Sequence, residues 1–316
     1  MEFTYEVEYP QDLELLLYPS FALPLFDVGS GVALKRYGVC SGLIVRVARG
    51  GYIVSHEDPF CIEYSRFILG LWFNPLSHVP SVSRRFTSLV KALLQLYPGF
   101  TLSISPLDDV AVFTSIILSR RTDYHVNTVK WVRALLELYG DIARVTGVDP
   151  GELASRVSRS FQVTGLPRIL SCYLSGRGSY LSSSLNARGL LACGGVGPKV
   201  LYSYILHVLG DTSYAPVDVN LSVFLENTGF GGYLRVKPVK SMCYRYDCDK
   251  CPLRSSCVES ILRRELGALT GWFQTVAYIH VKRYCRRGAC SKCSLRDLCT
   301  RSSREVPLSD QQLSRV

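Results

Sequence analysis

The period of the apolar positions changes along the chain, from short strands early on to helices later. Gly42 to Val47 and Tyr52 to Val54 are brief apolar runs set off by glycine-rich turns, the pattern of antiparallel strands. From Leu107 the spacing becomes helical. Val110 to Leu118 and Val126 to Tyr139 read as amphipathic helices, and Asp149 followed by Pro150 marks a helix start. Val200, Leu201, Tyr204, Ile205, Val208 and Leu209 form a further single-faced stripe, with Gly210 placed to stop it. The pattern predicts an α+β protein, mainly α, in three segments. These are an N-terminal antiparallel β-rich domain over 1–100, a helical core over 101–235, and a cysteine-rich region with a late core helix over 236–316. No apolar stretch is long enough to span a membrane.

The candidate chemistry begins just before the 200–209 stripe. Gly195, Val196 and Gly197 make a turn with two residues able to take positive φ. Pro198 suits the first position of a helix, where its missing N–H costs nothing. Lys199 therefore stands on the first turn, beside backbone N–H groups that can take a phosphate. The helix dipole and partial burial would both favour its neutral, nucleophilic amine. Asp218 lies nineteen residues on, where the apolar run Leu221, Val223, Phe224, Leu225 begins, and could serve simply as an N-cap.

Gly195-Val196-Gly197-Pro198-Lys199, with Pro216-Val217-Asp218-Val219 at that spacing, resembles the helix-hairpin-helix and catalytic aspartate of the base-excision DNA glycosylases. That superfamily includes endonuclease III and 8-oxoguanine DNA glycosylase. Asn186 to Leu191 is similar to the first helix of the hairpin. The resemblance implies a helix-hairpin-helix DNA glycosylase core between the β-rich domain and a C-terminal cysteine-rich metal-binding region. It implies a bifunctional glycosylase and AP lyase, with Lys199 as the nucleophile on the sugar C1′. Asp218 would stabilise positive charge developing on the sugar, and Gly195 and Gly197 would anchor a phosphate.

Ile116 to Asp123 is similar to the superfamily loop that fills the gap left by an extruded base, which places Arg120 and Arg121 against DNA. Gly271 to Tyr278 is similar to the late helix of 8-oxoguanine glycosylases, and this makes Gln274, Tyr278 and Trp272 the candidate base pocket. Gln274 and Tyr278, four apart, share a helix face, and a glutamine offers both donor and acceptor to a base edge. An oxidised base is the expected substrate, 8-oxoguanine first. Oxidised pyrimidines, alkyladenine, and a non-catalytic DNA-binding role remain as alternatives. Asn220 stands where 8-oxoguanine glycosylases tend to have histidine.

Twelve cysteines add a second pattern. Cys243, Cys248, Cys251 and Cys257 follow C-x4-C-x2-C-x5-C, and Cys285, Cys290, Cys293 and Cys299 repeat it 42 residues later. Four thiolates on a short loop can enclose an iron–sulfur cluster or a tetrahedral zinc. The second quartet, with Tyr284 just before it, resembles the C-terminal [4Fe–4S] loop of endonuclease III, though four residues replace six in the first gap. The first quartet is left open between a second [4Fe–4S] cluster and zinc. Cys40, Cys61, Cys172 and Cys193 are scattered, and are expected to be free buried thiols.

From Gly231 onward 17 Lys and Arg face 7 Asp and Glu, so the net charge of +10 lies wholly with the cysteines. Arg286 and Arg287 belong to this basic face, which suits a DNA backbone. The expected partner is double-stranded DNA carrying a damaged base or an abasic site, bound by a monomer. The charged opening MEFTYEVEYP lacks a signal-peptide pattern, so the expected location is the cytoplasm, at the nucleoid if the cell is prokaryotic.

Overall fold

The computed structural model describes residues 1–300. Five strands, β1 (Glu2–Glu6), β2 (Phe26–Gly29), β3 (Val32–Lys35), β4 (Ile44–Ala48) and β5 (Gly51–Ser55), form one antiparallel sheet in the order β1-β5-β4-β3-β2. Alternation buries Val45 and Val54 completely while leaving Arg46 and Glu2 to solvent. Phe3 pairs with Val54 and Tyr5 with Tyr52, so the charged N-terminus is an edge strand.

The first segment is less purely β than its sequence predicts, since it also holds α1 (Leu13–Leu17), α2 (Pro59–Ile68) and α3 (Arg84–Leu96). Asp58 caps α2 by accepting from the Phe60 N–H, and Pro59 occupies its first position. The helical body follows with α4 (Asp109–Leu118), α5 (Val129–Tyr139), α6 (Pro150–Arg156), α7 (Phe161–Thr164), α8 (Leu166–Ser182), α9 (Pro198–His207), α10 (Val219–Asn227), α11 (Lys240–Arg245), α12 (Val258–Leu266) and α13 (Thr270–Arg283). α5 begins three residues later than its apolar pattern suggests, because a π turn occupies Tyr124–Thr128. Asn186–Ala192, expected as the first helix of the hairpin, is wound as 3-10 turns. α13 is buried almost all round, α10 packs along it, and α9 packs against α4.

Sheet and helical body meet at a buried ion pair. Lys35 Nζ donates to Asp108 Oδ2 at 2.5 Å and also to the Val39 carbonyl, with both charged side chains almost wholly buried. Such a pair is weak evidence of net stability, but removing one partner would strand a buried charge. It fixes the sheet beside the start of α4.

The four scattered cysteines overturn the expectation of free thiols. Cys40 is bonded to Cys61 and Cys172 to Cys193, each pair 21 residues apart, with Cα atoms 5.4 and 5.7 Å apart. Those separations are the normal bridging range. Only folding brings each pair together: Cys40 sits in a left-handed turn against α2, and α8 carries Cys172 to the residue before the glycine hairpin. No helix among the described residues is long and apolar enough to cross a membrane.

Candidate active site

The hairpin into α9 follows the sequence reading with one correction. Gly195 has φ +80°, whereas Gly197 has an ordinary φ of −120° and serves as the helix N-cap. With no side chain to cap it, Gly197 leaves the first-turn N–H groups open to an anion. A Cβ on Gly195 would lie 2.6 Å from Arg120 Nη1, which instead donates to the Gly195 carbonyl at 2.6 Å. Arg120 also donates to the Ile117 carbonyl and is half-buried. It therefore braces the hairpin from within, while Arg121, exposed and at φ +53°, is the loop arginine that reaches the cavity.

Lys199 lies on the first turn of α9, as expected, but its side chain is exposed, so the partial burial anticipated for it is absent. Asp218 is the N-cap of α10, its Oδ1 accepting from the Leu221 N–H at 2.8 Å. Its Oδ2 accepts from Asn220 Nδ2 at 3.0 Å. The capping and functional readings are thus compatible, because the cap holds the carboxylate at the wall of the same cavity.

That cavity, of about 720 Å³, is lined by Lys199, Asp218, Gln274, Tyr278, Arg121 and Arg286 among others. Gln274 is 6% exposed, and the Tyr278 hydroxyl lies 3.2 Å from His125 Nε2, whose ring stacks on Tyr18 at 3.9 Å. Burial raises the Tyr278 pKa well above that of an ordinary phenol. Trp272 does not join them. It is fully buried, donates through Nε1 to the Phe100 carbonyl at 2.9 Å, and belongs to the core, because position 272 faces away from the side shared by 274 and 278. Lys282, tied to Asp123 at 3.1 Å, and exposed Arg286 stand at the cavity's edge. Arg287 is exposed outside it.

Sequence reasoning missed Phe21, Ser203 and His207, which also line the cavity. Phe21 comes from the loop before β2, which no pattern connects with α9. The signal for Ser203 and His207 is their spacing, four and eight residues after Lys199 on one helix face.

Neither cysteine quartet forms disulfides. Cys285, Cys290, Cys293 and Cys299 line a common cavity walled by Phe224, Tyr284 and Leu295, a donor set that fits a group taking four thiolates. Cys293 Sγ lies 3.3 Å from His280 Nε2, on the helix that carries Gln274 and Tyr278. In the first quartet the Tyr202 hydroxyl donates to Cys243 Sγ at 3.2 Å, and Arg188 of the 3-10 turns donates to the Cys243 and Tyr244 carbonyls. Burial pushes the Cys243 thiol up to about 11, so a bound metal would have to displace its proton. Among the described residues no three His, Cys, Asp or Glu side chains are gathered so as to hold a metal ion, so the quartets fit such a group by donor type and not by their placement here.

This architecture, a five-stranded sheet ahead of a helical body with a glycine hairpin over a polar cavity, is similar to the folds of several solved DNA glycosylases. An 8-oxoguanine glycosylase/lyase of Clostridium acetobutylicum, solved with DNA, superimposes with a TM-score of 0.64 at 12% identity, covering 90% of this chain and 98% of that one. A 3-methyladenine DNA glycosylase of Archaeoglobus fulgidus gives 0.62 at 14% identity, over 90% and 99% of the two chains. A trapped endonuclease III–DNA intermediate gives 0.51 at 14% identity, over 70% and 96%. No family model and no curated protein matches the sequence.

Proposed function

We propose that the protein is a bifunctional DNA glycosylase and AP lyase of base excision repair, acting on oxidised purine, with 8-oxoguanine as the first substrate. The observation that carries this reading is the meeting of Lys199, Asp218 and Gln274, from three separate helices, on one cavity. An enzyme acting on a base inside a duplex must extrude it into such a pocket.

The Lys199 amine, once unprotonated, attacks C1′ of the flipped nucleotide. Its lone pair forms the new C–N bond as the glycosidic electrons leave with the base, which takes up a proton. The Asp218 carboxylate stabilises the positive charge that develops on the sugar. Opening of the sugar ring leaves a Schiff base on Lys199, and loss of a C2′ proton then expels the 3′ phosphate. The open amides of α9, with Arg121 and Arg286 at the cavity, hold the DNA backbone. Gln274 reads the base edge and Tyr278 stacks on it.

Cys285, Cys290, Cys293 and Cys299 would hold a [4Fe–4S] cluster. Cys243, Cys248, Cys251 and Cys257 would hold a second cluster or a zinc ion. When bound, either group would act structurally, tying its loop to a helix of the site. Visible absorption and iron and zinc counts per chain distinguish the two metals.

Borohydride trapping tests the lyase assignment. The parent should form a covalent adduct with duplex DNA containing an abasic site, and Lys199→Gln should form none. A Lys199→Gln protein that traps as well as the parent would remove Lys199 from the mechanism.

A further inference from the structure

Lys199, Ser203 and His207 follow one another at four-residue steps on α9 and so share one face of the helix. All three line the cavity. Lys199 is exposed at one end, while Ser203 and His207 are only 1% and 4% exposed. Ser203 Oγ and His207 Nδ1 are buried without a hydrogen-bond partner among the described residues. Folded proteins pair nearly all such atoms, so two exceptions on one helix face, with Asn220 Oδ1 a third in the same cavity, call for a partner from outside the chain. A helical serine has a ready alternative in the carbonyl one turn back. Ser115 takes it, donating to Ala111, and Ser203 does not. The Phe21 ring meets the His207 imidazole edge-on, with centroids 5.0 Å apart, and fixes its orientation. Burial pulls the His207 pKa down to about 4, so at neutral pH the ring carries one donor and one acceptor nitrogen.

We infer that Ser203 and His207 hydrogen-bond the edge of the extruded base from the α9 side, while Gln274 serves it from α13. This rests on the glycosylase reading above and deepens it by assigning two further residues that recognise the base. A hydroxyl and a neutral imidazole can each donate or accept. They match an edge that presents an N–H and a C=O on adjacent atoms, a pair that undamaged guanine offers only at N1 and C6. Oxidation at C8 gives a purine that pair, with a donor at N7 and a carbonyl at C8, whereas the N7 of undamaged guanine only accepts.

The test compares single-turnover excision from a duplex containing 8-oxoguanine with borohydride trapping on a duplex containing an abasic site. The abasic duplex has no base to read. For Ser203→Ala and His207→Phe the ratio of excision to trapping should fall roughly tenfold or more, the scale of one lost buried hydrogen bond. His207→Asn keeps a donor and an acceptor near the Nδ1 position and should recover most of that ratio. An unchanged ratio, or a His207→Asn protein no better than His207→Phe, overturns the assignment of these two residues and leaves the glycosylase reading standing. A parent that traps on the abasic duplex yet leaves 8-oxoguanine in place overturns the proposed base. A parent inert on both overturns the glycosylase reading and the inference with it.

Discussion

A few side chains perform two tasks at once. Asp218 caps α10 and by that bond is aimed at the cavity, so the helix start and the candidate carboxylate are one feature. Arg120 directs its donors to the Ile117 and Gly195 carbonyls, and Arg121 is the arginine of that loop that lines the cavity. His207 makes a residue-scale prediction. An unfolded histidine titrates near 6.5, whereas desolvation holds the folded one near 4. Its folded pKa is depressed, so the unfolded chain takes the proton first as pH falls, and stability is lost between about 6.5 and 4. The loss from this group approaches about 1.4 kcal/mol per pH unit. Urea unfolding between pH 7 and 4.5 should show a shallower decline for His207→Gln than for the parent, and identical slopes would contradict the burial argument.

The elements of the site are each gripped from behind. Tyr202, on the helix that carries Lys199, reaches the first cysteine unit, and His280, on the helix that carries Gln274, reaches the second. The Cys172–Cys193 bridge ties α8 to the residue before the hairpin. Closing a loop with this 21-residue separation stabilises by about 3 kcal/mol through the unfolded chain. Under oxidising conditions the Cys172→Ala/Cys193→Ala double variant should lose about that much in guanidinium unfolding, and reductant should lower the parent's midpoint as well. A parent indifferent to reductant would show that this bridge does not form.

Across the whole molecule, charge is unevenly placed. The entire excess of positive charge falls in the last third of the sequence, and from that region Lys282 and Arg286 meet the cavity. If this face holds DNA, each phosphate contact contributes roughly −0.9 to the slope of log affinity against log salt concentration. Arg286→Ala should therefore make the slope shallower by about one, while Arg46→Ala on the sheet leaves it unchanged. Equal slopes for parent and Arg286→Ala, measured by fluorescence anisotropy, would place the DNA elsewhere. The Lys35–Asp108 pair acts at the same scale, fixing the sheet on the helical body through a charge that cannot be left alone.

The sequence by itself determined what depends on neighbours in the chain. The strands at 44–48 and 51–55, the start of α9 at Pro198 and the cap at Asp218 were all legible, because capping and periodicity act over a few residues. β1 was not, since its strand character comes from pairing with β5 some fifty residues away. Trp272 and Gln274 lie two residues apart on a helix with no polar side, and nothing local says which of them meets the core and which the cavity. The disulfide partners, the choice of Arg121 over Arg120, and the unpaired wall of Ser203 and His207 were decided only by the tertiary structure. Each depends on which groups distant parts of the chain bring within bonding distance, and which polar atoms they leave unmet.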